Sequence, residues 1–144
     1  MIRSSLRRIC ILLAIAVTLT TAGVVAGAEQ NTFTEWVTTW PIMAGVVGGG
    51  SGEGWYAGEV LKYIDGPTTV IEALYHFSGS AHSFTALVHV EQTGLKGVIN
   101  GVVTEGWQKG SQVHGEYLQV KSKQSPDGIA YQGALNILAS EASN

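Results

Sequence analysis

The glutamates within predicted strands are the residues best suited to acid–base chemistry in this sequence. Four of them lie inside such runs: Glu59, Glu72, Glu105 and Glu116. Two carboxyl groups that face one cavity can divide the acid and base roles between them, because different surroundings separate their pKa values. Glutamates in strands more often point to water. Both interpretations stay open at this stage, and solvent exposure is the commoner outcome.

The histidines do not form a local metal site. They are His76, His82, His89 and His114. No two of them stand two residues apart on a strand or four apart on a helix, the spacings that place two ligands on one side of an element. We interpret them as residues of polar strand faces or of the rim, and we expect no bound metal.

Covalent catalysis and nucleotide binding also find little support. The sequence has no G-x-S-x-G motif, its single cysteine is Cys10, and its two aspartates, Asp65 and Asp127, lie in turns. The glycine-rich segment 48–54 matches neither a Walker motif nor G-x-G-x-x-G, and a predicted strand rather than a helix follows it. We therefore expect no cofactor.

Aromatic residues give the stronger indication of a binding site. The set comprises Trp36, Trp40, Trp55, Trp107, Tyr63, Tyr75, Tyr117 and Tyr131. Such rings at the mouth of a barrel would bind a flat or apolar molecule. Alternatively, tyrosines fill the core and tryptophans cap the barrel ends. The predicted ligand site is one end of the cavity, near Glu59, Tyr75, Tyr117 and Tyr131.

Period-two alternation predicts the strands that position these side chains. The clearest strand is 129–137, whose odd-numbered residues form an apolar face. Strands 69–77 and 82–91 alternate in the same way. Further runs raise the total to seven or eight strands: 33–40, 54–63, 95–107 and 112–121. The alternation of two segments, 55–63 and 113–120, does not show which face is buried.

Turn residues separate these runs at the spacing of a meander. They lie at Asp65–Gly66–Pro67, Ser78–Gly79–Ser80, Thr93–Gly94, Lys109–Gly110 and Pro126–Asp127–Gly128. A sheet without covering helices must close on itself. The predicted fold is all-β, an antiparallel up-and-down β-barrel of about eight strands, with a β-sandwich as the alternative. Asn100–Gly101 is either a further hairpin turn or a glycine bend within one long strand.

The first 28 residues predict export. A stretch with three arginines precedes an apolar run, 9–17, and residues 26–28, Ala-Gly-Ala, supply the small residues of a cleavage site. An N-terminal signal helix and a periplasmic or extracellular location follow from this pattern. An uncleaved anchor is the alternative, because 9–28 is long enough to cross a bilayer.

The remaining chain is predicted to be one barrel domain, 29–138, with a frayed tail, 139–144. It has no cysteine, so it has no disulfide. Without the leader arginines, five lysines stand against eleven acidic residues, and the formal charge falls from −3 to about −6. This charge disfavours nucleic acid and polybasic membrane attachment as partners, and we expect no stable membrane insertion after cleavage.

The segment 52–137 resembles small bacterial barrels related to the allene oxide cyclase and dirigent families, in particular a family of unknown function. The match consists of Gly-Glu-Gly at 52–54, the segment 82–87, Gly-Leu-Lys-Gly at 94–97, Gly106, and two closing stretches, 113–117 and 132–135. The resemblance implies an eight-stranded barrel that could assemble as a trimer. It assigns no catalytic residue.

Three functions are compatible with the sequence. The first is non-enzymatic binding of a small apolar molecule or a protein partner, suggested by the surplus aromatic residues. The second is a cyclase or isomerase that folds a flexible substrate in the cavity, with Glu59 or Glu116 as proton donor. The third is a self-assembling envelope protein whose two-faced strands form subunit contacts.

Overall fold

The structure, a computed structural model, describes residues 29–138 as eight β-strands. The strands are β1 (Glu29–Thr39), β2 (Ile42–Gly49), β3 (Gly54–Ile64), β4 (Thr68–Gly79), β5 (Ser83–Thr93), β6 (Lys96–Gly106), β7 (Gln112–Lys121) and β8 (Ile129–Ile137). The predicted signal helix, 1–28, and the predicted tail, 139–144, lie outside the described residues.

Each strand pairs antiparallel with the next, and β8 pairs with β1, so the sheet is a closed barrel. This confirms the predicted all-β barrel over the sandwich. Closure leaves no strand with unpaired backbone groups along an edge. Within residues 29–138 there is no helix long and apolar enough to cross a bilayer.

The five predicted turns lie at five of the seven connections between consecutive strands. Strand β2 was not predicted, nor was the turn at Trp40 and Pro41 that leads into it. At the undecided position, Asn100 and Gly101 lie inside the continuous strand β6, where they pair with His89 and Val88 of β5. No hairpin turn therefore divides β6.

The predicted inward faces of β4 and β5 are confirmed by burial. Phe77, Phe84 and Val88 are at most 3 % exposed. The structure also resolves the two ambiguous strands. In β3, Tyr56 and Gly58 face inward while Trp55, Ala57 and Glu59 face solvent. In β7, every second residue from Val113 to Tyr117 is buried, and the residues between them are less so.

The two ends of the barrel differ. We call the end with the β2–β3, β4–β5 and β6–β7 turns the closed end, and the end with the other four turns the mouth. At the closed end, His82 pairs with Glu29 at 2.8 Å (Nε2 to Oε1) and stacks on Trp107, with ring centroids 3.8 Å apart. Next to it, the rings of Phe77 and Phe84 stack at 4.8 Å. The closed half is thus filled with side chains.

Two glycines in the wall make room for tyrosines. A Cβ atom at Gly97 would lie 2.1 Å from the ring of Tyr117, and one at Gly58 would lie 2.6 Å from the hydroxyl of Tyr56. A glycine that an aromatic ring covers is a known device in curved sheets. These glycines therefore determine how the two tyrosines lie inside the barrel.

Candidate functional site

A cavity of about 140 Å³ lies inside the barrel at the mouth. Most of its lining is aliphatic or aromatic. The aliphatic part and Met43 come from four strands: Val37, Met43, Val60, Ile71 and Ala73. Since these residues alternate with outward-facing ones, the ordinary pleat of the sheet is enough to direct them inward.

Glu35 is the only carboxyl group of the described residues that lines the cavity. It lies on β1 between Phe33 and Val37 on the same face, and it is 2 % exposed. Gly45 of β2 pairs with Glu35 on one side and with Tyr56 of β3 on the other. Because Gly45 has no side chain, Glu35 and Tyr56 approach each other across it.

Burial raises the pKa of Glu35 to about 8. The neighbouring Tyr56 hydroxyl lies close enough to lower this pKa in part. Even so, neither Glu35 Oε2 nor Tyr56 Oη has a hydrogen-bond partner within the described residues. At neutral pH Glu35 is therefore mostly a neutral acid, which can donate a proton in a hydrogen bond.

Tyr56 and Tyr75 lie edge to face beside Glu35, with ring centroids 5.3 Å apart. Burial raises the pKa of both hydroxyls well above the usual value, and the nearby Glu35 carboxyl raises them further. Both tyrosines consequently stay neutral, and only Tyr75 reaches the cavity surface.

The opposite wall carries polar groups that bond to one another. Tyr117 donates its hydroxyl proton to Gln92 Oε1 at 2.7 Å. The Gln92 amide donates to Gln119 Oε1 at 2.9 Å and to the Gly94 carbonyl oxygen at 3.1 Å. These groups already have partners, whereas the buried Oε2 of Glu35 has none within residues 29–138.

Trp40 and Tyr63 form part of the rim above the cavity. Their rings meet edge to face, with centroids 5.3 Å apart. Trp40 is 55 % exposed and Tyr63 is 49 % exposed. Both also line the cavity, so the opening has an aromatic edge that is in contact with solvent.

The structure brings together three of the four predicted site residues, since Tyr75, Tyr117 and Tyr131 line the cavity. Glu59 lies on the outer face of β3 and is exposed, because the inward positions of that strand are Tyr56 and Gly58. Glu35 was missed in the sequence, although its alternation with Phe33 and Val37 was a usable signal. Because glutamates are rarely buried, Glu35 was not considered as an inward-facing residue.

The other candidate residues stay outside the cavity. Glu72, Glu105 and Glu116 project from outward positions of the wall. No group of three or more His, Cys, Asp or Glu side chains comes together between residues 29 and 138. His76 and His114 instead bond to their cross-strand neighbours Thr85 and Asn100, each at 2.8 Å.

No family model, no curated protein and no solved structure matches the chain. The resemblance to allene oxide cyclase and dirigent barrels therefore stays a prediction from the sequence. The candidate site is therefore described by its geometry alone. It is a small, mostly apolar cavity that is open at one end and contains one neutral carboxyl group, that of Glu35.

Proposed function

We propose that the barrel binds a small, largely apolar molecule with one neutral polar group and holds it in the cavity without covalent change. The observation that carries this proposal is Glu35, a buried acid whose Oε2 has no partner among the described residues. The rest of the cavity lining consists of aliphatic and aromatic side chains, Thr69, and two glutamine amides that bond to each other. A cavity of this composition is the usual form of a small-molecule site.

The size of the cavity limits the part of the ligand that it can bury. An apolar protein cavity of about 150 Å³ takes up benzene, and this one measures about 140 Å³. Ligands of drug size need roughly 300 Å³ or more. The buried part is thus one ring or a short chain, and any longer part of the ligand would extend past Trp40 and Tyr63.

The state of Glu35 indicates the polar group. A neutral carboxyl donates its proton to a carbonyl or hydroxyl oxygen. An anionic ligand would bury a charge with no counter-charge in the lining, which is unfavourable. A ketone, aldehyde or alcohol on an apolar body fits these conditions best.

The test compares three probes of one ring size, cyclohexane, cyclohexanone and cyclohexylamine, by calorimetric titration of residues 29–144. The eight described strands and the core that they enclose are formed by residues 29–138, so this polypeptide contains all of them. Since one hydrogen bond contributes about 1 kcal/mol, cyclohexanone should bind about fivefold to tenfold more tightly than cyclohexane.

Glu35→Leu should abolish this preference, while the matched control Glu59→Leu, on the outer wall, should retain it. The preference should also weaken as the pH rises through about 8, where Glu35 loses its proton. The proposal would be refuted if none of the three probes bound, if Glu35→Leu kept the preference for cyclohexanone, or if cyclohexylamine bound most tightly.

A cyclase or isomerase is a second candidate, favoured by one observation. An acid with a pKa near the working pH is suited to proton transfer, and burial brings Glu35 into that range. The two proton donors considered from the sequence, Glu59 and Glu116, lie on outward positions, so this role would fall to Glu35.

Exchange of the α-hydrogens of cyclohexanone with D2O, followed by proton NMR, separates the two candidates. Binding without chemistry predicts the same exchange rate with and without protein. Accelerated exchange that Glu35→Gln abolishes would establish proton transfer in the cavity instead.

Export by the leader, a trimer and a self-assembling envelope role stay predictions. The molar mass of residues 29–144 in solution, measured by light scattering over a range of concentrations, tests the last two. A constant monomer mass would exclude both.

A further inference from the structure

One side-chain amide in the cavity lining has a hydrogen-bond donor without an acceptor. Gln119 lies near the end of β7 and lines the cavity. Its side-chain oxygen accepts a hydrogen bond from the Gln92 amide at 2.9 Å, and within residues 29–138 its side chain makes no other hydrogen bond. The two N–H groups of Gln119 Nε2 are therefore available to a molecule in the cavity.

The neighbouring groups determine which atom of the Gln119 amide is the nitrogen. A backbone carbonyl oxygen can only accept a hydrogen bond. Because the Gly94 carbonyl oxygen lies 3.1 Å from one atom of the Gln92 amide, that atom is the nitrogen. The same nitrogen lies 2.9 Å from the Gln119 amide, which must present its oxygen there. The Gln92 oxygen accepts from the Tyr117 hydroxyl at 2.7 Å. This chain of bonds turns Gln119 Nε2 away from Gln92.

Gln119 and Glu35 reach the cavity from nearby positions of the wall. Both pair in register with Tyr131 of β8, Glu35 from β1 and Gln119 from β7. Since neighbouring strands lie about 4.8 Å apart, the Cα atoms of Glu35 and Gln119 are roughly 10 Å apart. Their side chains extend inward from these positions and line the same cavity. A molecule of one ring can therefore contact both side chains.

A donor of this kind acts against ligands that offer it no acceptor. Solvent water can accept hydrogen bonds from an exposed amide. A ligand that displaces this water without replacing the bond leaves the amide unpaired, which is unfavourable. Sites with such a group reject an analogue without the matching atom more strongly than apolar sites reject a change of shape. Thr69 in the lining does not discriminate in this way, because a hydroxyl can either donate or accept.

We propose that Gln119 determines specificity and that the ligand carries two hydrogen-bond acceptors on one apolar ring, one for Glu35 and one for Gln119 Nε2. This inference rests on the ligand binding proposed above, which requires only the first acceptor, and it adds the second. Cyclic diones and quinones have this pattern, since they place two carbonyl oxygens on one ring. Hydroxyl groups suit the site less well, because each brings a further donor that needs an acceptor.

Calorimetric titration of residues 29–144 with cyclohexanone and cyclohexane-1,4-dione tests the inference. The probes have the same ring and differ by one carbonyl group. If nothing in the cavity bonds to the second carbonyl, the dione should bind about tenfold more weakly than cyclohexanone, because that group loses its hydration. With Gln119 as donor, we expect the dione to bind at least as tightly as cyclohexanone.

Gln119→Met removes the donor and keeps the length of the side chain. It should weaken binding of the dione about tenfold or more. Cyclohexanone should bind as tightly as before or more tightly, since it no longer leaves the amide unpaired. Gln132→Met is the matched control, because Gln132 is exposed on the outer face of β8, and neither affinity should change. The preference for cyclohexanone over cyclohexane, which depends on Glu35, should persist in both variants.

Proton–nitrogen NMR of the unsubstituted polypeptide provides a second measurement, which holds even if Gln119→Met does not fold. The side-chain NH2 signals of Gln119, assigned by through-bond experiments, should move downfield on saturation with the dione. They should respond less to cyclohexanone, whose single carbonyl group is bonded to Glu35.

Three results would overturn the inference. The first is a dione that binds more weakly than cyclohexanone by the same factor with and without Gln119. The second is an equal loss of affinity for both ketones in Gln119→Met, which would mean that Gln119 only shapes the cavity. The third is an unchanged NH2 signal of Gln119 in the dione complex. In the first and third cases, cyclohexanone binding that depends on Glu35 would retain the proposed function, whereas failure of both ketones to bind would remove both proposals.

Discussion

The two halves of this barrel are built from the same eight strands but differ in what occupies their interior. In the closed half, Phe33 packs edge to face against Phe77 with ring centroids 6.0 Å apart, and both are almost fully buried. In the mouth half, Glu35 and Gln92 occupy inward positions of the same strands or their neighbours and line a cavity. The comparison teaches that the alternation of apolar and polar residues along the strands produces the barrel. The site is produced by the few inward positions that carry polar instead of apolar side chains.

The largest difference between the halves should appear in stability. Phe77→Ala should lower the free energy of unfolding by about 3–5 kcal/mol, since it leaves a cavity in the filled half. Phe77 is 1 % exposed. Denaturant unfolding of residues 29–144 measures the change. The comparison variant Tyr63→Ala, at the mouth, should lose no more than about 1–2 kcal/mol, including its edge-to-face contact with Trp40. Equal losses would show that the mouth is as tightly packed as the closed half.

The pH dependence of stability should depend on Glu35. Its pKa is about 8 in the folded protein, against 4.5 for a glutamate that is exposed to water, as in the unfolded chain. The folded state therefore holds the proton over a range where the unfolded state has released it. This contribution is fully present below about pH 4.5 and declines as the pH rises to about 8.

Between about pH 5 and pH 8 the loss should amount to roughly 3–4 kcal/mol. Glu35→Gln should remove this slope, because an amide does not titrate. Glu59→Gln, the same change on the exposed outer wall, should leave it intact. Unfolding titrations at several pH values measure both, and an unchanged slope in Glu35→Gln would mean that another group is responsible.

A substitution in the wall of the mouth half should affect stability and ligand binding together. Gly97→Ala should cost about 1–3 kcal/mol, since the new methyl group would overlap the Tyr117 ring and force it to move. The displaced ring would also alter the cavity, so cyclohexanone should bind more weakly.

The control for this substitution is Gly66→Ala in the β3–β4 turn. There the nearest atom to the new Cβ, the Thr68 carbonyl oxygen, is 3.4 Å away. Stability should change by less than about 1 kcal/mol and binding should not change. Unfolding and calorimetric titration of both variants would reveal whether the glycine is required for the position of Tyr117.

The smallest effect on stability is expected at Leu95, in the β5–β6 turn of the mouth. Leu95→Ser should change the free energy of unfolding by less than about 0.5 kcal/mol, because Leu95 is 61 % exposed and contributes little to the core. The measurement is again denaturant unfolding. A loss above about 1 kcal/mol would assign Leu95 a role in packing.

The sequence predicted much of the fold and only part of the site. Apolar residues on β4 and β5 alternate with polar ones, so the pattern alone indicates the buried face of each strand. On β3 the outward residues Trp55 and Leu61 are themselves apolar, so the two faces of that strand looked alike and Glu59 was assigned to the cavity. A register irregularity between Val60 and Lys62 adds to this ambiguity.

By itself, the sequence predicted the all-β class, seven of the eight strands and five of the seven turns between them, because these depend on neighbouring residues, whereas β2 and its turn after β1 were not predicted. Only the tertiary structure decided that Glu35 of β1 shares a cavity with Tyr75 of β4 and Tyr117 of β7. Closure of the barrel brings together residues that are far apart along the chain, and no local pattern contains that information. The raised pKa of Glu35 has the same origin, since it results from burial by several distant strands.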